Sequence, residues 1–123
     1  MVGDWHSGKE RAMHTARRPT ITELNDEFRT NPMRYGRVML TAGVNAIGAD
    51  FVMRAMRLIA NYGSFPHGDD PYREHDFGAF VLDGQRLFWK IDYYDPTMEA
   101  GSEDPADRSK TVRVMTVMLA SEY

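Results

Sequence analysis

The dipeptide Asp83-Gly84 constrains this chain more than any other feature, because it lies between two runs of strand-forming residues. Asp-Gly is typical of two-residue hairpin turns of type I′, in which both central residues take positive φ. The runs from His75 to Leu82 and from Arg86 to Tyr94 are rich in apolar and aromatic side chains on both sides of this turn. We therefore predict a β-hairpin with its turn at Asp83-Gly84.

A helix is indicated well before this hairpin. Thr20 and Glu23 have the spacing of a capping box, in which each side chain bonds the backbone of the other residue. The apolar residues that follow recur at helical spacing: Ile21, Leu24 and Phe28. Pro32 disfavours helical backbone at Asn31, so the helix should end there.

Between this helix and the hairpin, the chain predicts a strand and a second helix. Residues 37–41 are typical of a short buried strand, and residues 44–47 of a single helical turn. A longer helix should start at Gly48 and end at Gly63, with Gly63 in the left-handed conformation that often follows a helix. Its apolar positions repeat with helical spacing: Phe51, Ala55, Leu58, Ile59 and Tyr62.

The remaining segments complete an α+β fold. Residues 64–74 and 95–110 are polar and rich in Pro, Gly and Asp, so we expect loops there. Residues 111–119 fit a strand or a helix, and their β-branched side chains favour the strand. We predict an antiparallel sheet of three or four strands with two helices packed on one face, in the order α-β-α-β-β-β. Residues 1–18 should be a disordered tail and residues 19–123 a single domain.

Composition bounds the function classes. A chain of 123 residues with 42% hydrophobic residues can form one domain with a real core. It has no cysteine, which excludes disulfides, thiolate metal sites and thiol catalysis and fits a cytoplasmic location. It has no phosphate-binding loop, no H-E-x-x-H and no G-x-S-x-G motif, and no apolar run long enough to span a membrane. We expect no cofactor and no bound metal.

Several segments are distinctive as a set. They are ITELNDEFR, GRVMLTAGVNAIG, HDFGAFVLDGQRLFWKIDYYD and GSEDPADRSKTVRVMTVMLASEY, which together span most of residues 20–123. The chain resembles, in these segments, a small bacterial family known only as a domain of unknown function. The resemblance implies a bacterial origin and carriage on plasmids or other mobile elements. The resemblance gives no activity and no catalytic residues that could be carried over to this chain.

Charge is distributed unevenly along the chain. Residues 66–107 hold eleven acidic and three basic side chains, while the whole chain has a net charge of −3. Such a segment repels nucleic acid and attracts a basic protein or nucleoprotein. The alternative is an acidic face that only keeps the protein hydrated, with no partner. If a partner binds, the predicted contact residues are Asp69, Asp70, Glu74, Trp89, Tyr94, Asp95, Glu99, Glu103, Asp104 and Asp107.

The open end of the predicted hairpin holds the best candidate for chemistry. The turn at Asp83-Gly84 places His75 opposite Asp92 and Asp76 opposite Ile91. The candidate catalytic residues are therefore His75, Asp76, Asp92 and Asp95. An imidazole with carboxylates could bind a divalent cation or act as an acid–base pair. The alternative is a cross-strand hydrogen bond between His75 and Asp92 that only stabilises the hairpin.

We favour a non-enzymatic protein-binding module whose acidic surface contacts a basic partner. On a mobile element, one such partner is a host nucleic-acid-binding defence complex, so an anti-CRISPR-like inhibitor is a specific form of this hypothesis, by analogy. The alternative is a small metal-dependent hydrolase built on the His/Asp cluster. The sequence leaves homo-oligomer formation open.

Overall fold

The computed structural model describes residues 17–66, 68 and 70–123. Within them the fold is α+β, with four α-helices and a four-stranded sheet. The helices are α1 (Ile21–Thr30), α2 (Pro32–Tyr35), α3 (Ala42–Ile47) and α4 (Ala49–Ala60). The strands are β1 (Gly36–Leu40), β2 (Phe77–Leu82), β3 (Gln85–Tyr94) and β4 (Val112–Leu119). No helix in these ranges has the length and apolar character that a membrane span requires.

The first helix begins as the sequence predicts. The Thr20 hydroxyl accepts a hydrogen bond from the Glu23 N–H at 3.1 Å, and the Glu23 carboxylate accepts one from the Thr20 N–H at 2.9 Å. This reciprocal capping box satisfies two backbone donors that have no partner within the helix. The predicted tail of residues 1–18 lies outside the described residues, except for Arg17 and Arg18.

The hairpin of β2 and β3 is confirmed. Asp83 and Gly84 have φ of 52° and 77°, as a type I′ turn requires. The pairing runs from Leu82 opposite Gln85 to Phe77 opposite Lys90, which is the predicted register. Residues 112–119 form the predicted strand, and β4 pairs with β3 along its whole length.

The sheet is mixed, which corrects the expectation of a purely antiparallel sheet. The strand order is β1-β4-β3-β2, and β1 runs parallel to β4. The physical reason is the connection between β1 and β2, which contains α3 and α4. A helical crossover of this kind returns the chain in the same direction. Strand β4 then enters between β1 and β3, antiparallel to the latter.

One face of the sheet carries the core. Its buried residues include Phe28 of α1, Val44 of α3 and alternate residues of the two central strands. From α4 come Phe51, Ala55 and Ile59. The strand residues are Leu87, Trp89, Ile91, Met115 and Val117. The helices thus lie on one side of the sheet, as predicted. Gly78 is required beneath the Trp89 indole, because a Cβ there would lie 2.3 Å from Trp89 Nε1.

The opposite face of the sheet is covered only in part, by the ring of Tyr123. The Tyr123 ring lies 6.1 Å from Phe77 and 5.2 Å from Phe88, measured between centroids. Met39 and Val81 on this face remain 60% and 65% exposed. The face therefore combines aromatic side chains with open apolar surface.

The free edge of β2 is blocked at its centre. The Tyr62 hydroxyl accepts a hydrogen bond from the Ala79 N–H at 3.2 Å and donates one to the Ala79 carbonyl at 3.1 Å. Both backbone groups that Ala79 turns away from β3 are thereby satisfied, which disfavours pairing with a strand of another chain. Tyr62 lies just past α4, whose cap is Asn61 with φ of −99°. The expected left-handed glycine cap at Gly63 is wrong, since Gly63 has no positive φ.

Candidate functional site

A polar cluster lies where α1 meets the loop that precedes β2. His75 Nδ1 is 2.8 Å from Asp26 Oδ1 on α1, and the imidazole stacks on the Phe65 ring with centroids 3.9 Å apart. The Nε2 atom on the other side of the ring lies 3.9 Å from Asp70 Oδ2. His75 is thus held between two carboxylates from distant parts of the chain.

The backbone around His75 is strained. Arg73 and His75 have φ of 56° and 58°, a region that non-glycine residues seldom adopt. The buried Asp70 carboxylate accepts hydrogen bonds from the N–H groups of Glu74 and His75 and so holds this conformation. A cleft of about 190 Å³ lined by Phe65, Asp70, Arg73 and His75 opens beside it.

Asp26 has a second partner in the interior. Arg29, one helical turn further along α1, is buried, and its Nη2 lies 2.5 Å from Asp26 Oδ1. Its Nη1 donates to the carbonyls of Ile59 and Tyr62 at 2.9 and 3.0 Å. The guanidinium also lies over the Phe65 ring, at 5.3 Å from the centroid. Arg29 therefore fastens α1 to the end of α4.

A second polar network continues along the same edge of the core. The fully buried Asn25 amide donates to the Tyr93 hydroxyl at 2.8 Å and to the Glu74 carbonyl at 2.9 Å. Its Oδ1 accepts from Arg113 Nε at 2.7 Å, and the Tyr93 hydroxyl donates to Asp76 Oδ2 at 3.1 Å. Burial raises the pKa of Tyr93 and of Asp76, because both ionised forms lose hydration there.

The four predicted catalytic residues do not converge. His75 contacts Asp26 and Asp70, so the cross-strand bond between His75 and Asp92 is wrong, because the positive φ of His75 turns its side chain toward α1. Asp92 instead pairs with Lys90 at 3.1 Å. Asp76 bonds Tyr93, and Asp95 bonds its own loop. Among the described residues, no three His, Asp or Glu side chains are placed to hold one metal ion.

The predicted contact residues divide into four groups. Asp70 and Trp89 are 4% and 0% exposed, so the structure corrects their assignment to a partner surface. Asp69 lies outside the described residues. Glu74 and Tyr94 are half-buried. The others belong to one loop, here called the acidic loop (residues 95–107), in which Glu99 and Glu103 are exposed and Asp95, Asp104 and Asp107 are half-buried.

The acidic loop lies within the predicted loop of residues 95–110, and side-chain hydrogen bonds fix its conformation. Asp95 Oδ1 accepts from the N–H groups of Thr97 and Glu99, each at 3.1 Å. The same oxygen of Asp107 accepts from the Ser109 N–H at 2.9 Å. The hydroxyl groups of Thr97 and Ser109 donate to the same two oxygens at 2.8 and 2.7 Å, and these bonds, together with the backbone ones, lower the pKa values of Asp95 and Asp107. The Ser102 N–H donates to the Tyr93 carbonyl at 3.0 Å and ties the loop to β3.

Two basic side chains approach the acidic loop. Arg18 pairs with Asp104 at 2.8 Å, which lowers the pKa of that carboxyl group, and Lys110 pairs with Glu103 at 3.3 Å. The side chain of Glu103 is 76% exposed, and Glu99 is exposed as well. The loop therefore retains negative charge on its solvent side.

Comparison with known proteins identifies a family. The model of the family DUF3768, described as "Protein of unknown function", matches residues 40–122. The chain belongs to this family. The match confirms the resemblance seen in the sequence, while the bacterial origin and the mobile-element association remain predictions. No curated protein and no solved structure matches the chain.

Proposed function

We propose that this member of DUF3768 is a non-enzymatic protein-binding module that contacts a basic partner through the acidic loop. The observation that supports this most is the fixed conformation of the loop. Carboxylates of Asp95 and Asp104 accept hydrogen bonds from backbone N–H groups of the same loop, and that of Asp107 accepts one from Ser109 just past the loop. Negative charge is thus held on a framework that exists before any partner arrives.

Preorganisation matters because binding has an entropic cost. Ordering a flexible loop or a mobile side chain at an interface costs about 0.5–1.5 kcal/mol per side chain. A loop already fixed by its own hydrogen bonds avoids much of this cost. The charges also speed association with an oppositely charged surface, and this effect weakens as salt increases.

The internal ion pairs do not prevent such binding. The pairs of Arg18 with Asp104 and of Lys110 with Glu103 lie at the surface. Exposed pairs contribute about 0–1 kcal/mol, so a basic partner can replace them at little cost. Glu99 has no side-chain partner among the described residues and is available directly.

The hydrolase alternative has less support. Its four residues, His75, Asp76, Asp92 and Asp95, make separate contacts instead of lining one cleft. The His75 imidazole lies between Asp26 and Asp70, where it fastens a loop to α1. The geometry therefore favours a structural role for this histidine.

The test is affinity capture from a bacterial host with three forms of the full chain. The charge-reversal variant is Glu99→Lys with Glu103→Lys, since these two carboxylates bond no backbone group in the part of the chain that the structure describes. The control is Asp50→Lys, which reverses one exposed carboxylate in the first turn of α4. We expect wild type and control to capture the same protein and the double variant to lose it. Equal capture by all three forms would show that the acidic loop is not the contact surface.

The captured protein also tests the finer hypothesis. If the target is a host nucleic-acid-binding defence complex, the captured protein should carry a basic channel and bind less nucleic acid when this chain is added. A partner with no nucleic-acid-binding surface would leave the protein-binding proposal intact and end the inhibitor hypothesis.

A further inference from the structure

A second charged feature adjoins the acidic loop, since one of its residues, Arg113, donates to the Pro105 carbonyl of that loop. A cleft of about 190 Å³ opens where α1, α2 and the start of β4 meet, and its lining carries three guanidinium groups. The lining residues are Leu24, Glu27, Arg34, Tyr35, Arg108, Thr111 and Arg113. Glu27 is the one carboxylate among them, so the lining has an excess of positive charge.

Arg113 is the most deeply buried of the three arginines that line the cleft. It is 4% exposed, and its described hydrogen bonds go from Nε to Asn25 and from Nη2 to the Pro105 carbonyl at 2.6 Å. No carboxylate within the described residues pairs with it. A buried guanidinium without a negative partner is costly, so an anion that reaches the cleft would gain its attraction.

Arg34 and Arg108 frame the mouth of the cleft. Both guanidinium groups lie over the Tyr35 ring, at 5.3 and 5.4 Å from its centroid. Arg108 pairs with Glu27. Arg34 is exposed, and in the described part of the chain it pairs with no carboxylate. The planar guanidinium fork matches the oxygens of phosphate in shape and charge.

We propose that this cleft binds phosphate, either as the free anion or as the phosphate end of a small molecule. Its volume is below that of sites that enclose drug-sized ligands, so the cleft takes a compact group. A neighbouring cleft of about 230 Å³ shares Leu24, Glu27 and Arg108 with it and also contains Arg17. The remainder of a larger ligand would lie there. This site does not depend on the acidic loop as a contact surface.

The test is calorimetric titration of the full chain with inorganic phosphate. Sodium chloride at the same ionic strength serves as the control for general salt effects. We expect saturable binding of phosphate, weakened at least about tenfold by Arg34→Gln, because hydrogen bonds to charged groups are among the strongest. Arg57→Gln is the matched control, since Arg57 is exposed on α4 away from the cleft, and it should bind as wild type.

A second variant should change the affinity for phosphate in the opposite direction. Glu27→Gln removes the one carboxylate of the lining and releases Arg108, so it should bind phosphate several-fold more tightly. Circular dichroism confirms that each variant is folded. The proposal is overturned if chloride gives the same heat, if Arg34→Gln and Arg57→Gln bind alike, or if Glu27→Gln weakens binding. A phosphate monoester titrated in parallel separates the two sources: tighter binding than inorganic phosphate assigns the neighbouring cleft to the rest of the ligand, and equal binding assigns the site to the free anion.

Discussion

The buried amide of Asn25 should be one of the most sensitive positions in the chain. It is 0% exposed, donates to Tyr93 and Glu74, and accepts from the buried Arg113. The bond to the charged Arg113 is worth about 1.5–3 kcal/mol and each neutral bond about 0.5–1.5 kcal/mol. Asn25→Ala should therefore lower the free energy of unfolding by about 3–5 kcal/mol, with some of the loss recovered by water or relaxation.

The assay is equilibrium denaturation in urea, followed by fluorescence. Asn61→Ala is the matched control, because Asn61 is an exposed amide whose side chain, among the described residues, bonds just the Arg57 carbonyl one turn back. We expect a change within about 0.5 kcal/mol for the control, as for most surface substitutions. A loss below about 1 kcal/mol for Asn25→Ala would refute the network as a stabilising element.

A double-mutant cycle then tests whether the members act together. Tyr93→Phe removes the hydroxyl that joins Asn25 to Asp76. Residues in one hydrogen-bond network show coupling of about 0.5–3 kcal/mol, so the double variant should lose less than the sum of the single losses. Strict additivity would mean that the two bonds are independent.

Three further predictions concern the sheet and its polar edge. Gly84→Val should lower the free energy of unfolding by at least about 1 kcal/mol in urea denaturation, because φ at this position is 77°; Gly84→Asn should cost less, and equal stability of both variants would contradict this. Gly78→Ala should cost about 1–3 kcal/mol in the same assay, since its Cβ would overlap the Trp89 indole; an unchanged unfolding midpoint would show that the indole moves freely. Burial raises the pKa of Asp76, so the ionised carboxylate lowers the stability of the fold at neutral pH, whereas the protonated form at acid pH does not. Asp76→Asn should therefore raise the melting temperature at neutral pH, and this gain should disappear as the pH falls. A gain in melting temperature that is the same at every pH would contradict the raised pKa of Asp76.

The hairpin could be predicted because its determinants are local. Asp83 and Gly84 specify the turn, and the turn specifies every pair from Leu82 with Gln85 outward. The capping box at Thr20 is local in the same sense. Such features depend on residues a few positions apart, which a single sequence displays directly.

The parallel pairing of β1 with β4 could not be predicted in this way. It joins residues far apart in the chain, such as Val38 with Met115. The sequence does contain the signal, since two helices separate β1 from β2, and a helical connection suits strands that run in one direction. The expectation of an antiparallel sheet follows if α3 and α4 are taken only as helices that pack on the sheet, and not as a connection that sets the direction of β2 relative to β1.

The polar edge of the core was missed for a related reason. Helical spacing identifies the apolar residues of α1, but Asn25 and Arg29 follow Leu24 and Phe28 directly and share their buried face. Polar residues at such positions indicate a buried network. The partners of Asn25 and Arg29 lie far away in the sequence, so their identity could not be predicted without the three-dimensional structure.

The acidic residues include two kinds: a buried carboxylate that accepts hydrogen bonds from the backbone, and exposed carboxylates. Asp70 was counted as surface charge but serves as a buried acceptor for two backbone N–H groups. A count of charges along the chain cannot separate such residues from exposed ones like Glu99. The proposed function rests on the carboxylates of the acidic loop, two of which, Glu99 and Glu103, are exposed.

The association rate between the chain and its captured partner tests that function most directly. It is measured by stopped-flow at low and high salt, for wild type and for the variant Glu99→Lys with Glu103→Lys. We expect the wild-type rate to fall as salt increases and the variant to associate more slowly at low salt, with the two rates converging at high salt. Equal rates for both proteins at low salt, independent of ionic strength, would contradict recognition through the acidic loop.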